Sequence, residues 1–329
     1  MIDILLELKK QGFKSQIVPI GHLDDLREEI ERLRIKKAIP EEVYNGYLSG
    51  FNFTTADCLP SAASIIIVAV PQPQIKVRFN WNYERHAGII PPTYLYNPNA
   101  LVEALLKEKL EPVGYRIAKT ALPLKLMATR CGLGFYGRNN LCYISEMGSF
   151  HRLMAFLSDL PCSKDIWHKP QMMARCKQCL ACYHSCPTGA ISTRHFHLRA
   201  ERCLTFHNES KNDWPSWIHP EWHHCLVGCL QCQWSCPENK KFLGWIEEKE
   251  EFSVEETELV MWGCPFEELP KTIQEKLDAL SLTEYYPAAI SRNLRCLFEN
   301  SSSLQRNGRL DIERNIYQRG EQPWSKNRR

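Results

Sequence analysis

The sequence lacks any uninterrupted apolar run long enough to cross a bilayer. Its longest, Ala62–Val70, is broken by Ser64, and a membrane helix needs about 20 apolar residues. No charge of either sign dominates: 41 Lys+Arg stand against 38 Asp+Glu, for a net charge of +3. That balance excludes a strongly polycationic protein while leaving room for a local basic patch. The opening MIDILLELKKQG carries Asp3 and Glu7 inside its apolar stretch, which makes a poor signal peptide. No long segment has a disordered composition. At 329 residues and 44% hydrophobic content, the chain suits one large or two modest globular domains with a buried core.

What is abundant is cysteine, with fifteen residues. The number is odd and nine of them fall between Cys176 and Cys236. A disulfide framework spreads over a small secreted fold, whereas clustered cysteines without an export signal point to metal. The expectation is a reduced, cytoplasmic protein.

The first cluster of cysteines, Cys176, Cys179, Cys182 and Cys186 followed by Pro187, reads C-x2-C-x2-C-x3-C-P. This is the bacterial ferredoxin run, in which three thiolates wrap one corner of a cubane and the fourth serves a second cluster. Four-cysteine zinc sites also use C-x2-C pairs, but zinc has no use for three equally spaced cysteines before C-P. The second half holds Cys229, Cys232 and Cys236 before Pro237, with Cys225 one residue too far back and Cys203 more remote. Crosswise ligation then yields two [4Fe–4S] clusters. One takes Cys176, Cys179, Cys182 and Cys236. The other takes Cys186, Cys229, Cys232 and either Cys203 or Cys225, a choice that spacing leaves open. Cys58, Cys131, Cys142, Cys162, Cys264 and Cys296 are scattered among apolar neighbours and read as packing residues.

Apolar periodicity predicts helices over 2–10 and 22–36, a buried strand over 64–70 ended by Pro71, and helices over 97–109 and 123–130. Strands are expected near 115–117, 141–144 and 152–157, while 71–92, rich in Pro, aromatics and Asn, reads as loop. The fold class is therefore α+β. An α/β domain spans about 1–165, a ferredoxin-like double-cluster module 166–245, and a helical, polar tail 246–329 with helices over 267–280 and 288–299. The end of the chain carries Arg306, Arg309, Arg314, Arg319, Lys326, Arg328 and Arg329. It reads as a solvated tail, with nucleic-acid contact as the sharper alternative.

Gly132, Gly134 and Gly137 match G-x-G-x-x-G. A dinucleotide fingerprint needs a strand before it and a helix after it, and here the order is reversed. A glycine turn that lets backbone approach another ligand fits better. Arg138, Asn139 and Asn140 follow at once and offer polar contacts or turn chemistry. His195, His197, His207, His219, His223 and His224 crowd the cysteine region; with enough thiols present they read mostly as supporting or surface residues. No Asp-x-His pair occurs in the chain, so the D-x-H-x-x-G loop that gives a corrinoid its lower histidine ligand is absent.

The segment Ala128 to Asn140, then Gly148-Ser149-Phe150, then Asp159-Leu160-Pro161, then the two C-P cysteine runs, resembles the epoxyqueuosine reductase family over about residues 55–240. Its members are cobalamin-dependent double-cluster proteins related to reductive dehalogenases. Ser291 to Arg295 also looks like the start of that family's helical-repeat tail. The resemblance implies base-off cobalamin in the amino-terminal domain, with Gly132, Gly134, Gly137, Arg138, Asn139 and Asn140 as candidate contacts. It implies Cys203 as the remote ligand of the second cluster. It also implies electrons arriving from a small ferredoxin- or flavodoxin-type protein and reducing cobalt to Co(I), with the cofactor carrying the hard chemistry. Two departures stand out. The family's acidic proton donor has no counterpart, since no Asp or Glu lies between Pro112 and Ser145; Ala118 falls at that place, leaving Lys119 or Tyr136 as substitutes. The tail that helps the family hold tRNA is short. The expected function is a corrinoid-linked iron–sulfur reductase acting outside tRNA modification. The alternatives are a true epoxyqueuosine reductase and an electron carrier without substrate chemistry.

Overall fold

The computed structural model of the chain describes residues 3–194 and 196–306. His195 and the basic stretch from residue 307 onward lie outside the described residues. Among the described residues no helix is long and apolar enough to cross a membrane.

In chain order the elements are α1 (Ile4–Lys10), β1 (Lys14–Pro19), α2 (His22–Ile35), α3 (Glu41–Val43), β2 (Ser64–Pro71), β3 (Gln74–Trp81), β4 (Glu84–Ile90), α4 (Asn97–Leu110), β5 (Ile117–Lys119) and α5 (Leu124–Arg130). They continue with β6 (Phe135–Tyr136), β7 (Cys142–Tyr143), β8 (His151–Ser158), α6 (Ala181–Ser185), α7 (Leu204–Glu209), α8 (Gln231–Trp234), β9 (Ile246–Phe252), α9 (Val254–Trp262), α10 (Lys271–Ala279) and α11 (Ala288–Arg306). The chain divides into two compact units built from interleaved segments. The first comprises Met1–Pro71, Tyr96–Leu180 and Ile191–Glu201; the second comprises Gln72–Leu95, Ala181–Ala190 and Arg202–Arg329.

The first unit is organised by β2. The strand sits inside a four-stranded sheet of order β1-β2-β8-β5, antiparallel at every pairing. Alternate side chains of a strand point to opposite faces. Ile65, Ile67 and Ala69 pack with Leu23, Leu26 and Ile30 of α2 and with Leu126 and Met127 of α5. Ile66, Val68 and Val70 pack with Ile4 and Leu8 of α1 and with Val102, Leu106 and Leu110 of α4. Helices cover both faces, which is why β2 reads as a continuous β-branched run. Each fully buried Ile or Val contributes about 1.5–3 kcal/mol. α2 adds Asp24 and Asp25 in its first turn and Arg32 and Arg34 in its last, signs that complement the helix dipole.

The second unit holds a three-stranded sheet of order β4-β3-β9. Here the structure corrects the reading of 71–92 as loop. The prolines flank the strands, and Asn82 and Tyr83, with φ of 49° and 62°, form the two-residue turn between Trp81 and Glu84. Such left-handed pairs match the twist of a tight hairpin. The polar tail likewise opens with a strand: β9 runs parallel to β3. Two of its carboxylates are paired, Glu248 with Arg78 at 2.6 Å and Glu251 with Arg85 at 2.7 Å. α9 follows through a capping box of Ser253 and Glu256 and ends at Gly263 with φ 74°.

His151, at the start of β8, donates from Nε2 to the Cys142 carbonyl at 3.1 Å, and burial lowers its pKa from the usual 6.5 to about 4. The unfolded chain therefore takes up this proton first. The imidazole's share of stability is expected to be complete above about pH 6.5. It should fall by on the order of 3 kcal/mol as the pH drops through 4. Urea unfolding from pH 4 to 8 should show a steeper acid loss in wild type than in His151→Gln; parallel curves would refute the assignment.

Candidate iron–sulfur and cofactor site

In the first unit the glycine-turn segment organises the arm that carries the first cysteines. Tyr136 N–H donates to the Gln171 carbonyl and Met173 N–H to the Tyr136 carbonyl, each at 2.9 Å, so 171–173 lies against β6 like an added strand. A tight turn over Ala174–Lys177 follows, in which Cys179 N–H reaches the Arg175 carbonyl at 3.1 Å. Arg138 donates from Nη2 to the Cys176 carbonyl. Arg138, selected from the sequence as a cofactor contact, thus braces the backbone of the first thiol.

The glycines have specific neighbours within the same unit. A Cβ on Gly134 would meet Cys142 Sγ at 2.7 Å and the Tyr143 carbonyl at 2.8 Å, and one on Gly137 would meet Asn139 Oδ1 and the Tyr143 ring at 2.5 Å. Their bare backbone lets the turn close on β7. Gly132 has φ +73° with His168 Nε2 3.3 Å from its would-be Cβ. Asn139 is buried and donates to Tyr143 Oη at 2.9 Å. Asn140, with φ 60°, accepts from Lys125 Nζ at 3.1 and 3.2 Å. As expected, helix α5 precedes this turn and strands follow it.

Lys119 sits at the end of β5, largely exposed, with Nζ 2.6 Å from Glu103. Tyr136 is buried beside the Phe196 ring at 5.0 Å; burial, with the nearby Cys142 thiol, holds its phenol well above the usual range. Among the described residues, four buried polar atoms of this unit have no hydrogen-bond partner: Thr120 Oγ1, Arg138 Nε, His151 Nδ1 and Trp167 Nε1.

In the second unit the two half-motifs dock through equivalent residues. Ser185 and Ser235 each stand immediately before a Cys-Pro pair, and their hydroxyls lie 2.8 Å apart. Each also turns back to the carbonyl three residues earlier, Cys182 at 3.2 Å and Cys232 at 3.5 Å. α6 and α8 thus repeat one local geometry across a shared contact. Sequence reasoning missed these serines, although the repeated Ser-Cys-Pro was the available signal.

Burial raises the Cys229 pKa well above normal, and Cys225, Cys203 and Cys186 add to the effect. Burial also raises Cys203, with Cys186 within electrostatic range. Cys186 Sγ lies 3.5 Å from Thr188 Oγ1, and Cys225 is fully buried among Ile89, Leu230 and Trp234. His224 is fixed as a neutral ring: Nδ1 donates to the Trp222 carbonyl at 3.0 Å and Nε2 accepts the Leu230 N–H at 2.9 Å. Burial lowers its pKa to about 4. It supports the Cys225–Cys229 loop, the role expected of most histidines here. Among the described residues no three His, Cys, Asp or Glu side chains form a site for a single metal ion. None of the fifteen cysteines is in a disulfide, and sulfur is the donor iron–sulfur clusters take. The donor set fits.

These features define a double-cluster iron–sulfur module, and residues 175–239 match the 4Fe-4S double cluster binding domain family. Beyond the module, the chain is similar to epoxyqueuosine reductase. It is 28% identical to the Bacillus subtilis enzyme over 219 residues, 59% of this chain and 54% of that relative. The chain thus spans about half the length of this curated relative. The solved structure of epoxyqueuosine reductase from Streptococcus thermophilus matches at TM-score 0.63 and 20% identity, covering 96% of this chain and 88% of that one. An epoxyqueuosine reductase solved with an epoxyqueuosine-modified tRNA stem loop matches at TM-score 0.61 and 22% identity, over 95% of this chain and 86% of the other. The mixed helix-and-strand fold is that of epoxyqueuosine reductase.

Gly228 precedes Cys229 with φ +68°, and a Cβ there would lie 2.3 Å from Tyr94 Oη. Gly228→Ala is expected to destabilise the second unit by about 1–3 kcal/mol, read by chemical unfolding; an unchanged midpoint would show that the loop shifts freely.

Proposed function

We propose that this chain is an iron–sulfur reductase of the epoxyqueuosine reductase type whose substrate is epoxyqueuosine in tRNA. The observation that carries the proposal is the pair of cysteine half-motifs docked at Ser185–Ser235 in a chain whose fold matches that enzyme along 96% of its length. This reverses the weighting the sequence alone suggested, in which a substrate outside tRNA came first.

By the spacing rule, one cluster takes Cys176, Cys179, Cys182 and Cys236. The other takes Cys186, Cys229 and Cys232 together with Cys203, the ligand the family resemblance implies, with Cys225 a packed bystander beside Ile89 and Leu230. The corrinoid is assigned to segment 1–165, the clusters to 166–245 and a supporting role to 246–329. When bound, the clusters carry single electrons and cobalamin delivers reducing power to the substrate. A ferredoxin- or flavodoxin-type protein is the proposed electron source.

The chain's own residues do the holding and the proton handling. Thr120 Oγ1, Arg138 Nε and Trp167 Nε1 are buried donors and His151 Nδ1 a buried acceptor, a set that suits the amide side arms of a corrin. Turning an epoxide into an alkene consumes two electrons and two protons and releases water, so a positioned acid is required. Tyr136 keeps its proton at Oη because burial disfavours the phenolate. Lys119 Nζ lies 2.6 Å from the Glu103 carboxylate. One of these two stands in for the missing carboxylic acid.

A second reading, reduction of a different substrate through the corrinoid, is favoured by one observation: no Asp or Glu lies between Pro112 and Ser145. Anaerobic EPR of the reconstituted protein with cob(II)alamin, followed by turnover of an epoxyqueuosine-bearing anticodon stem loop, separates the readings. A base-off cobalamin signal with queuosine formation is expected, and Tyr136→Phe or Lys119→Ala should abolish the product. A base-off signal without product would favour the second reading. An unchanged cobalamin spectrum would leave an electron carrier.

Iron analysis tests the ligand set. Cys203→Ser should lose about half of the roughly eight irons per chain that two [4Fe–4S] clusters hold, and Cys225→Ser should lose none. The opposite result would exchange their roles.

A further inference from the structure

Two neighbouring side chains of α11 are directed at backbone carbonyls of the second unit. Asn293 is fully buried, and its Nδ2 donates to the carbonyls of Asn208 and Leu226, each at 2.9 Å. Its Oδ1 accepts from Arg292 Nε at 3.1 Å and Nη2 at 3.0 Å. The Arg292 guanidinium donates in turn to the carbonyls of His207 at 2.9 Å, Ser210 at 3.1 Å and Asn212, with Trp214 beneath it at 5.3 Å. Asn208, also fully buried, donates from Nδ2 to the Gly228 carbonyl at 2.7 Å.

These bonds join two stretches that are far apart in sequence. α7 begins immediately after Cys203, and Gly228 immediately precedes Cys229. Asn293 holds both directly, through Asn208 and Leu226, and Asn208 ties them to each other. Arg292 fixes the end of α7 and the residues beyond it. Burial lowers the guanidinium pKa to about 10, so the cation is strongly desolvated and depends on those carbonyls. A buried amide left without them would be costly, which ties the geometry of both thiol arms to one position on one helix.

We propose that Arg292, Asn293 and Asn208 are positioning residues for the second iron–sulfur cluster, a polar knot that sets the separation of the Cys203 and Cys229 arms and so governs retention of that cluster alone. The proposal rests on the double-cluster reading above. Residues that orient metal ligands from behind typically change metal affinity about 10- to 100-fold when removed.

The test uses the full chain, anaerobically reconstituted, with each cluster's EPR signal assigned by Cys176→Ser and Cys186→Ser. Iron release to a chelator is then followed in wild type, Asn293→Ala, Asn208→Ala and Arg292→Lys. Ser291→Ala is the control: its hydroxyl donates to the Val260 carbonyl at 2.6 Å, so it weakens the same helix without touching the knot. The expected result is second-cluster release faster by roughly tenfold or more in Asn293→Ala and Asn208→Ala, with the first cluster unchanged. Arg292→Lys, which keeps the charge and loses the fork, should fall between. Equal acceleration for both clusters, or the same selective loss in a Ser291→Ala protein of matched melting temperature, would overturn the proposal as mere stability. A second cluster indifferent to both asparagine variants would overturn it as well. Wild-type protein that binds only one cluster would instead refute the double-cluster reading on which it stands.

Discussion

A buried thiol keeps its proton unless a cation takes the proton's place, and this preference governs the design of the second unit. Burial pushes the Cys229 and Cys203 thiols up, so each favours neutral sulfur where it sits. Such an arrangement is not assembled by charge attraction among the thiols. It has to be built from outside, by groups that grip the backbone next to each cysteine. The Ser185–Ser235 pair between the two short helices and the imidazole of His224 across its loop are two versions of one device in the second unit, and Arg138 on the Cys176 carbonyl is a third in the first unit. All are polar side chains acting on main chain or on each other, and none acts on sulfur.

How much of this was legible in the sequence depends on what each signal measures. Strand β2 was plain because every residue from Ile65 to Val70 meets a helix layer, leaving no polar face to interrupt the pattern. The helices α1, α2, α4 and α5 were equally plain, each presenting one apolar stripe. β3 and β4 were missed because composition, dominated by the flanking prolines, outweighed the alternation within the strands. Their turn carries Tyr83 where glycine is usual. β9 was missed for a different reason: Glu247, Glu248, Glu250 and Glu251 look like a solvated helix until Arg78 and Arg85 come across to pair with Glu248 and Glu251, and those partners are remote in sequence.

The candidate site divides along the same line. Cysteine spacing states the metal chemistry outright because a cubane dictates loop lengths. The glycine turn stated only that something approaches closely. The neighbours at Gly134 and Gly137 are the chain's own Cys142, Asn139 and Tyr143, which no motif could name. The short run Ser291-Arg292-Asn293 resembled the start of a repeat, and that resemblance named none of the carbonyls of Asn208 and Leu226 that Asn293 reaches. Motifs report what a ligand demands of the chain; packing between distant segments leaves no such trace.

The interleaving of the two units has a consequence for synthesis on the ribosome. Gln74 on β3 pairs with Ile246 on β9, and Asn208 waits for Asn293. The hairpin of β3 and β4 is therefore translated long before its parallel neighbour exists, and contacts so distant in sequence form slowly. During that interval the first cysteine run, Cys176 to Cys186, is already translated. The contacts of Asn293 with Asn208 and Leu226 can therefore close only after α11 has emerged.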